Sequence, residues 1–143
     1  MRSLSSFLSD RLTPEENVLY VVSDRFLDAE TGQPEQWEIK RITAKENSAI
    51  RKACMRTVPV PGGRKGQYTQ DFDANLYQAK VSAACTVWPD LDSAELQDSY
   101  HVVGAENLLQ AMLRPGEFED YSAMVLEVNG FKNKDDLIDE AKN

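Results

Sequence analysis

The sequence predicts an α+β fold: a mostly helical single domain with an N-terminal β-hairpin, at about 18–42, packed on four or five helices. Three observations carry this. Val18–Phe26 is rich in β-branched and aromatic residues, and Gln36–Ile42 alternates with period two. Apolar residues then recur at spacings of three and four through most of the chain from residue 44. Between those stretches lie capping residues, prolines and glycines where helices start and stop. With 143 residues and a hydrophobic fraction of 41%, the chain is long enough to bury an ordinary core as one domain.

The elements follow in order. Residues 1–16 form a polar lead-in in which Leu4, Phe7, Leu8 and Leu12 are spaced for a short amphipathic helix, and Thr13-Pro14-Glu15-Glu16 reads as a turn or a second helix start. The domain proper spans 17–131. Thr31-Gly32 and Pro34 supply the chemistry of the hairpin loop. A lone hairpin is marginal in water, so it must lie on helices, with Tyr20, Phe26 and Trp37 as the contact. Thr43-Ala44-Lys45-Glu46 is a capping box that opens a helix over 44 to about 57. The stretch 58–67, with two prolines and three glycines, excludes helix and central strand and reads as an exposed basic loop. Asp71–Trp88 is expected to be the longest helix, stopped by Pro89, with Cys85 and Trp88 in the core. Asp92-Ser93-Ala94-Glu95 is a box-like start of the next helix, and Gly104 interrupts. Ala105–Leu113 follows, and Pro115 opens a last helix that Gly130 closes. Residues 132–143 form an acidic tail, a frayed helix or disorder.

Charge is unevenly distributed. The net charge is −8. Residues 1–70 carry 11 Lys/Arg against 9 Asp/Glu, whereas residues 71–143 carry 5 against 15. The basic residues cluster between 40 and 65. Such a dipole suits packing of one half on the other, or of one copy on another, or a partner-binding patch. The acidic total counts against a dedicated nucleic-acid binder.

Chemistry is sparse. His101 is the single histidine, with Asp98 three residues earlier, a spacing typical of a surface or capping contact. Cys54 and Cys85 have neither zinc nor disulfide spacing and are expected to be reduced, buried and inert. Asp90-Leu91-Asp92 lacks the glycine and glutamate of a calcium loop. The glycines at 62–66 lack the Gly-Lys-Ser/Thr of a phosphate loop. Trp88-Pro89-Asp90 is not accompanied by the Cys-x5-Arg motif of a tyrosine phosphatase. No cofactor, metal or enzymatic activity is expected. No apolar run reaches the roughly 20 residues of a membrane span, and Met1–Arg11 has no secretory h-region, so the expected compartment is cytoplasmic.

A set of short motifs, in order and spacing, resembles one family. They are Arg25-Phe26 with Trp37-Glu38-Ile39; Ile50-Arg51-Lys52-Ala53-Cys54; Val58-Pro59-Val60-Pro61-Gly62 with Gly66-Gln67-Tyr68-Thr69; Cys85-Thr86-Val87-Trp88-Pro89-Asp90-Leu91; Ala94-Glu95-Leu96-Gln97-Asp98-Ser99-Tyr100; and Met112 through Tyr121, ending at Asn129-Gly130-Phe131. Over roughly 15–131 they are similar to the XkdN-like phage tail assembly chaperones of tailed phages and defective prophages. The resemblance implies a non-enzymatic protein of the bacterial cytoplasm. It binds the tape-measure protein while the tail tube polymerises and is absent from the mature virion. A frameshifted longer form, which would recruit the tail tube protein, is a feature of many such genes; the present chain would be the shorter product.

Two surfaces are candidates for that work. Self-association as a homo-oligomer is expected to be oriented by Arg51, Lys52, Arg56, Arg64 and Lys65. Client capture is expected on the apolar stripe Leu108, Leu109, Met112, Phe118, Tyr121 and Val125, whose plain alternative is core. A small regulatory or nucleic-acid-associated protein using the basic 40–65 segment is the competing reading; its binding would weaken steeply with salt.

Overall fold

A computed structural model describes residues 2–132; Met1 and the expected tail at 133–143 lie outside the described residues. The order of elements is β1 (Val18–Tyr20), β2 (Trp37–Ile39), α1 (Ala44–Ala53), β3 (Met55–Pro59), β4 (Tyr68–Phe72), α2 (Ala74–Ala84), β5 (Thr86–Trp88), α3 (Ala94–Ser99), α4 (Ala105–Met112) and α5 (Pro115–Val128).

The expected hairpin is present. β1 pairs antiparallel with β2, with Val18 opposite Ile39 and Tyr20 opposite Trp37. β2 also pairs antiparallel with β5, giving a three-stranded sheet of order β1-β2-β5. Alternation sends Trp37 and Ile39 into the core, where both are fully buried, and leaves Leu19 on the outer face, exposed. Tyr20, Phe26 and Trp37 make the sheet–helix contact: Trp37 meets Phe26 at 6.0 Å and the α5 residue Tyr121 edge-on at 5.2 Å, and Tyr20 stacks on Tyr121 at 6.2 Å.

α2 lies at the centre of the helical layer, against α1, α4 and α5. Its buried face is Ala79, Val81, Ser82 and Ala83. Small side chains there let α5 approach until the Ser82 and Ser122 hydroxyls bond at 2.9 Å, both buried. α4 adds Leu108, Leu109 and Met112, and α5 adds Tyr121 and Val125.

Helix ends follow the local signals. Thr43 caps α1 with a reciprocal box to Glu46. Asp73 accepts from Leu76 N–H at 3.0 Å to start α2, and Ser93 does the same for Leu96 at the start of α3. Pro115 is in the first turn of α5. Gly130, at φ +87°, ends that helix, with Phe131 N–H returning to the Leu126 carbonyl at 3.0 Å.

Four expectations are corrected. The helix from 44 stops at Ala53 and the helix expected to start at Asp71 begins at Ala74, because Met55–Pro59 and Tyr68–Phe72 pair as a second hairpin with Thr57 opposite Gln70. Pro59 is tolerated because it ends a strand of a two-stranded ribbon. The helix expected to be the longest ends at Ala84 after 11 residues, shorter than the 14 of α5, and Thr86–Trp88 becomes the third strand of the first sheet; three good β-formers beside an open edge of β2 outweigh helical periodicity. Trp88 is 54% exposed and is not core. Residues 2–12 form two short 3-10 turns, Ser5–Phe7 and Ser9–Arg11, in place of an amphipathic helix, and Thr13–Glu16 starts none.

Candidate functional site

An exposed tryptophan, Trp88, lies beside an open cleft. β5 is an edge strand, and its pairing with β2 slips by one residue: Ile39 faces Thr86, Glu38 faces Trp88, and Val87 is the bulged residue. The bulge sorts the side chains. Thr86 turns inward, with Oγ1 2.7 Å from the Ser82 carbonyl and 2.6 Å from the Tyr121 hydroxyl. Trp88 is left on the surface.

Pro89 leads into a tight turn in which the Asp90 carboxylate accepts from Asp92 N–H at 3.0 Å and the Asp90 carbonyl from Ser93 N–H at 3.2 Å. Leu91 is thereby buried as an anchor. α3 follows, held at both ends by Gln97, whose amide donates to the Leu91 carbonyl at 2.8 Å and accepts from Gly104 N–H at 3.2 Å. The result is an open cleft of about 500 Å³, lined by Trp88, Pro89, Asp90, Ser93, Glu95, Leu96 and Ser99. Its apolar lining is Trp88, Pro89 and Leu96. Its rim holds two carboxylates and no basic group. Such a surface suits an apolar segment flanked by basic residues; large aromatics in partly desolvated pockets dominate binding energy at protein interfaces.

A second exposed apolar patch lies on the outer face of the sheet. Leu19, Val21 and Pro34 line an open cleft of about 560 Å³ together with Asp28 and Glu35, and Leu27, 55% exposed, lies in the same 27–34 segment. The third patch is the N-terminal arm. Every residue from 2 to 17 is exposed, including Leu4 and Phe7 at 79%. The root of the arm is fastened: Arg41 binds the Glu15 carboxylate at 2.7 Å and the Glu16 carbonyl at 2.8 Å.

The apolar stripe expected to capture a client is largely core. Leu108, Leu109, Tyr121 and Val125 are fully buried and Met112 nearly so; Phe118 is only half-buried. The physical reason is that α4 and α5 turn this stripe toward α2 and the sheet, where Trp37 and Ile39 cover it. As a contact surface it is withdrawn in the folded chain.

The basic residues stay outside, but not as one patch. Arg51 lies over the Phe72 ring at 4.5 Å and the Tyr77 ring at 5.3 Å. Arg56 is paired with Asp71 at 2.9 Å and Asp73 at 3.6 Å. These two therefore clamp the second hairpin to α1 and α2. Lys52 is exposed beside them. Arg64 and Lys65 lie in the hairpin turn, roughly 15 Å further along the ribbon at about 3.3 Å per residue.

The remaining chemical candidates have structural places. His101, exposed, sits at φ +58° just after α3, its N–H returning to the Asp98 carbonyl at 3.1 Å and that of Val102 to Gln97 at 3.1 Å. It occupies the left-handed position that ends a helix. Cys54 and Cys85 are free and buried, and burial pushes both thiols up. Among the described residues no group of His, Cys, Asp or Glu is placed to hold a metal ion. No described helix is long and apolar enough to cross a membrane.

Trp88 was misplaced by sequence reasoning because Val87 continues a helical stripe. The usable signal was the Thr-Val-Trp run directly before proline, which is strand chemistry.

Residues 4–142 match the family model of the phage XkdN-like tail assembly chaperone protein. Over 142 residues the chain is 27% identical to the phage-like element PBSX protein XkdN of Bacillus subtilis, covering 98% of this chain and 93% of that protein. It is equally similar, at 27% over the same lengths, to the B. subtilis protein YqbN. The crystal structure of a YqbN protein superposes with a TM-score of 0.75 at 22% identity, covering 92% of this chain and 99% of that one, which shows the shared fold. The second hairpin, the edge strand and the exposed Trp88 are thus features of a chain that belongs to the XkdN-like phage tail assembly chaperone family.

Proposed function

We propose that this chain keeps the tape-measure protein soluble during assembly of the tail tube, in the cytoplasm of the bacterial host, without enzymatic chemistry and without remaining in the virion. The observation that carries the reading is the Trp88 cleft: a half-exposed tryptophan that shares its lining with Pro89 and Leu96 and with the carboxylates Asp90 and Glu95. Family membership supports the role in tail assembly. A tape-measure protein is a long helical polymer that exposes apolar faces, and an apolar groove takes such a face.

Apolar burial, at about 25 cal/mol per Å², supplies strength there, and the acid rim supplies orientation. Self-association is oriented by the basic surface of the 40–65 segment, with Lys52, Arg64 and Lys65 as its outward charges, against the acidic side of a second copy. Exposed ion pairs contribute only about 0–1 kcal/mol each, so charge sets register more than strength. Contact with the tail tube protein would belong to a frameshifted longer form.

The test is co-expression with the neighbouring tape-measure gene product. The soluble fraction of that product should rise, and the two should co-purify in a complex that survives moderate salt. Loss of the complex between low and moderate salt would favour the competing reading, a protein that binds a polyanion through the basic segment.

A further inference from the structure

Among the described residues, two of the exposed apolar surfaces lie apart from each other. One is the N-terminal arm, whose Leu4, Phe7, Leu8 and Leu12 are 53–79% exposed. The other is the Trp88 cleft, whose lining includes no arm residue. Their chemistry is complementary. Residues 2–12 of the arm carry these apolar side chains with Arg2 and Arg11 against one acid, Asp10. The cleft presents Trp88, Pro89 and Leu96 together with Asp90 and Glu95, with no cation in its lining.

The sheet also separates them. The arm leads into β1 and its root is pinned by Arg41, whereas the cleft begins at β5; β1 and β5 are opposite edges of the sheet. A second copy brings the two surfaces together without crossing β2.

The geometry points to an arm exchange in which residues 2–12 of one copy lie in the Trp88 cleft of another. This rests on the proposed function in one respect: the cleft is the same one assigned to the client. The arm is then an internal substitute for the client. Leu4, Phe7, Leu8 and Leu12 supply its apolar contact, and Arg2 and Arg11, against the single acid Asp10, leave it net basic for the acid rim. In the absence of client it covers Trp88 and keeps the assembly soluble. A client segment displaces it by competition for one surface, so client binding loosens the chaperone's own assembly.

Cysteine pairing between differently marked copies tests this, since Cys54 and Cys85 are buried and do not compete. Phe7→Cys and Ser99→Cys variants of the full chain are mixed and oxidised mildly. The expected product is a two-chain disulfide species formed several-fold above the yield of either variant alone, and lost when Glu95→Lys is added to the Ser99→Cys copy. Circular dichroism verifies the fold of each variant. If no mixed species forms, or if the double variant Phe7→Cys/Ser99→Cys links only within one chain, exchange between copies is wrong.

Client co-purification by Trp88→Ala is scored in parallel. Cross-linking without any effect of Trp88→Ala on the client leaves the arm exchange standing and removes the client assignment. Absence of cross-linking together with client loss does the reverse.

Discussion

Asn129 binds Ile42 across 87 residues of chain: its side-chain oxygen accepts the Ile42 N–H at 2.8 Å. Its amide nitrogen donates to the Val125 carbonyl at 2.9 Å. One side chain therefore ends α5 and fastens the segment after β2 to it. Replacing it by alanine leaves the Ile42 N–H without its protein partner. The expected cost is about 1–3 kcal/mol, read from urea unfolding.

Tyr121 and Thr86 should respond unequally. Thr86 Oγ1 donates to the Ser82 carbonyl, so the Tyr121 hydroxyl is the donor in the 2.6 Å contact between them. Tyr121→Phe removes a donor and leaves Thr86 satisfied as a donor; about 1 kcal/mol is expected. Thr86→Val strands a hydroxyl on a fully buried tyrosine and an accepting carbonyl, and should cost more, about 1–3 kcal/mol. Equal losses in parallel urea titrations would contradict this order.

Acid should unlock the contact between the first loop and α5. The Arg25 guanidinium binds Glu117 and the Met112 carbonyl. The hydrogen bond from Arg25, helped by Ser23 and the Arg114 N–H, lowers the Glu117 carboxyl to about 2. A carboxyl lowered in the folded state stabilises above its unfolded pKa. That stabilisation is lost as pH falls from about 4.5 toward about 2. Glu117→Gln should therefore lower Tm at pH 7 and differ little from the parent near pH 2.

His101→Gly should stabilise. The position requires φ near +58°, which costs an L-residue, while the backbone bonds from 101 and 102 to α3 remain. A gain of about 0.5–1 kcal/mol is expected in the urea midpoint at unchanged slope.

The elements were legible where a local signal decided them. Thr43, Pro115 and Gly130 mark helix ends by side-chain or backbone chemistry that acts within four residues; Asp73 and Ser93 are caps too, but Asp71 and Asp92 beside them offer the same chemistry, so the sequence does not decide between them. The first hairpin was legible through alternation at Trp37 and Ile39. The second hairpin and β5 were not. Met55–Pro59 carries no alternation of burial, because its two-stranded ribbon stands largely exposed on both faces. Thr86–Trp88 became a strand only because β2 offers it an edge, a tertiary fact. The same holds for the candidate surfaces. Periodicity shows that Leu108, Leu109, Met112, Tyr121 and Val125 share a face, but not whether a neighbour covers it.

Charge reversal should separate assembly from folding when the right residues are chosen. Arg51 and Arg56 hold the second hairpin through Phe72, Tyr77, Asp71 and Asp73. Reversing them should cost stability as well as assembly. Lys52→Glu/Arg64→Glu/Lys65→Glu should instead reduce assembly size at low salt while circular dichroism and Tm stay unchanged. Sedimentation velocity at two salt concentrations reads this.

Client binding at Trp88 can be measured directly. The direct measurement is the soluble fraction of the tape-measure protein when it is co-expressed with the parent chain or with Trp88→Ala, each verified as folded by near-ultraviolet circular dichroism. A large soluble fraction is expected with the parent and a several-fold smaller one with Trp88→Ala. Equal solubility with both chains would contradict client binding at Trp88.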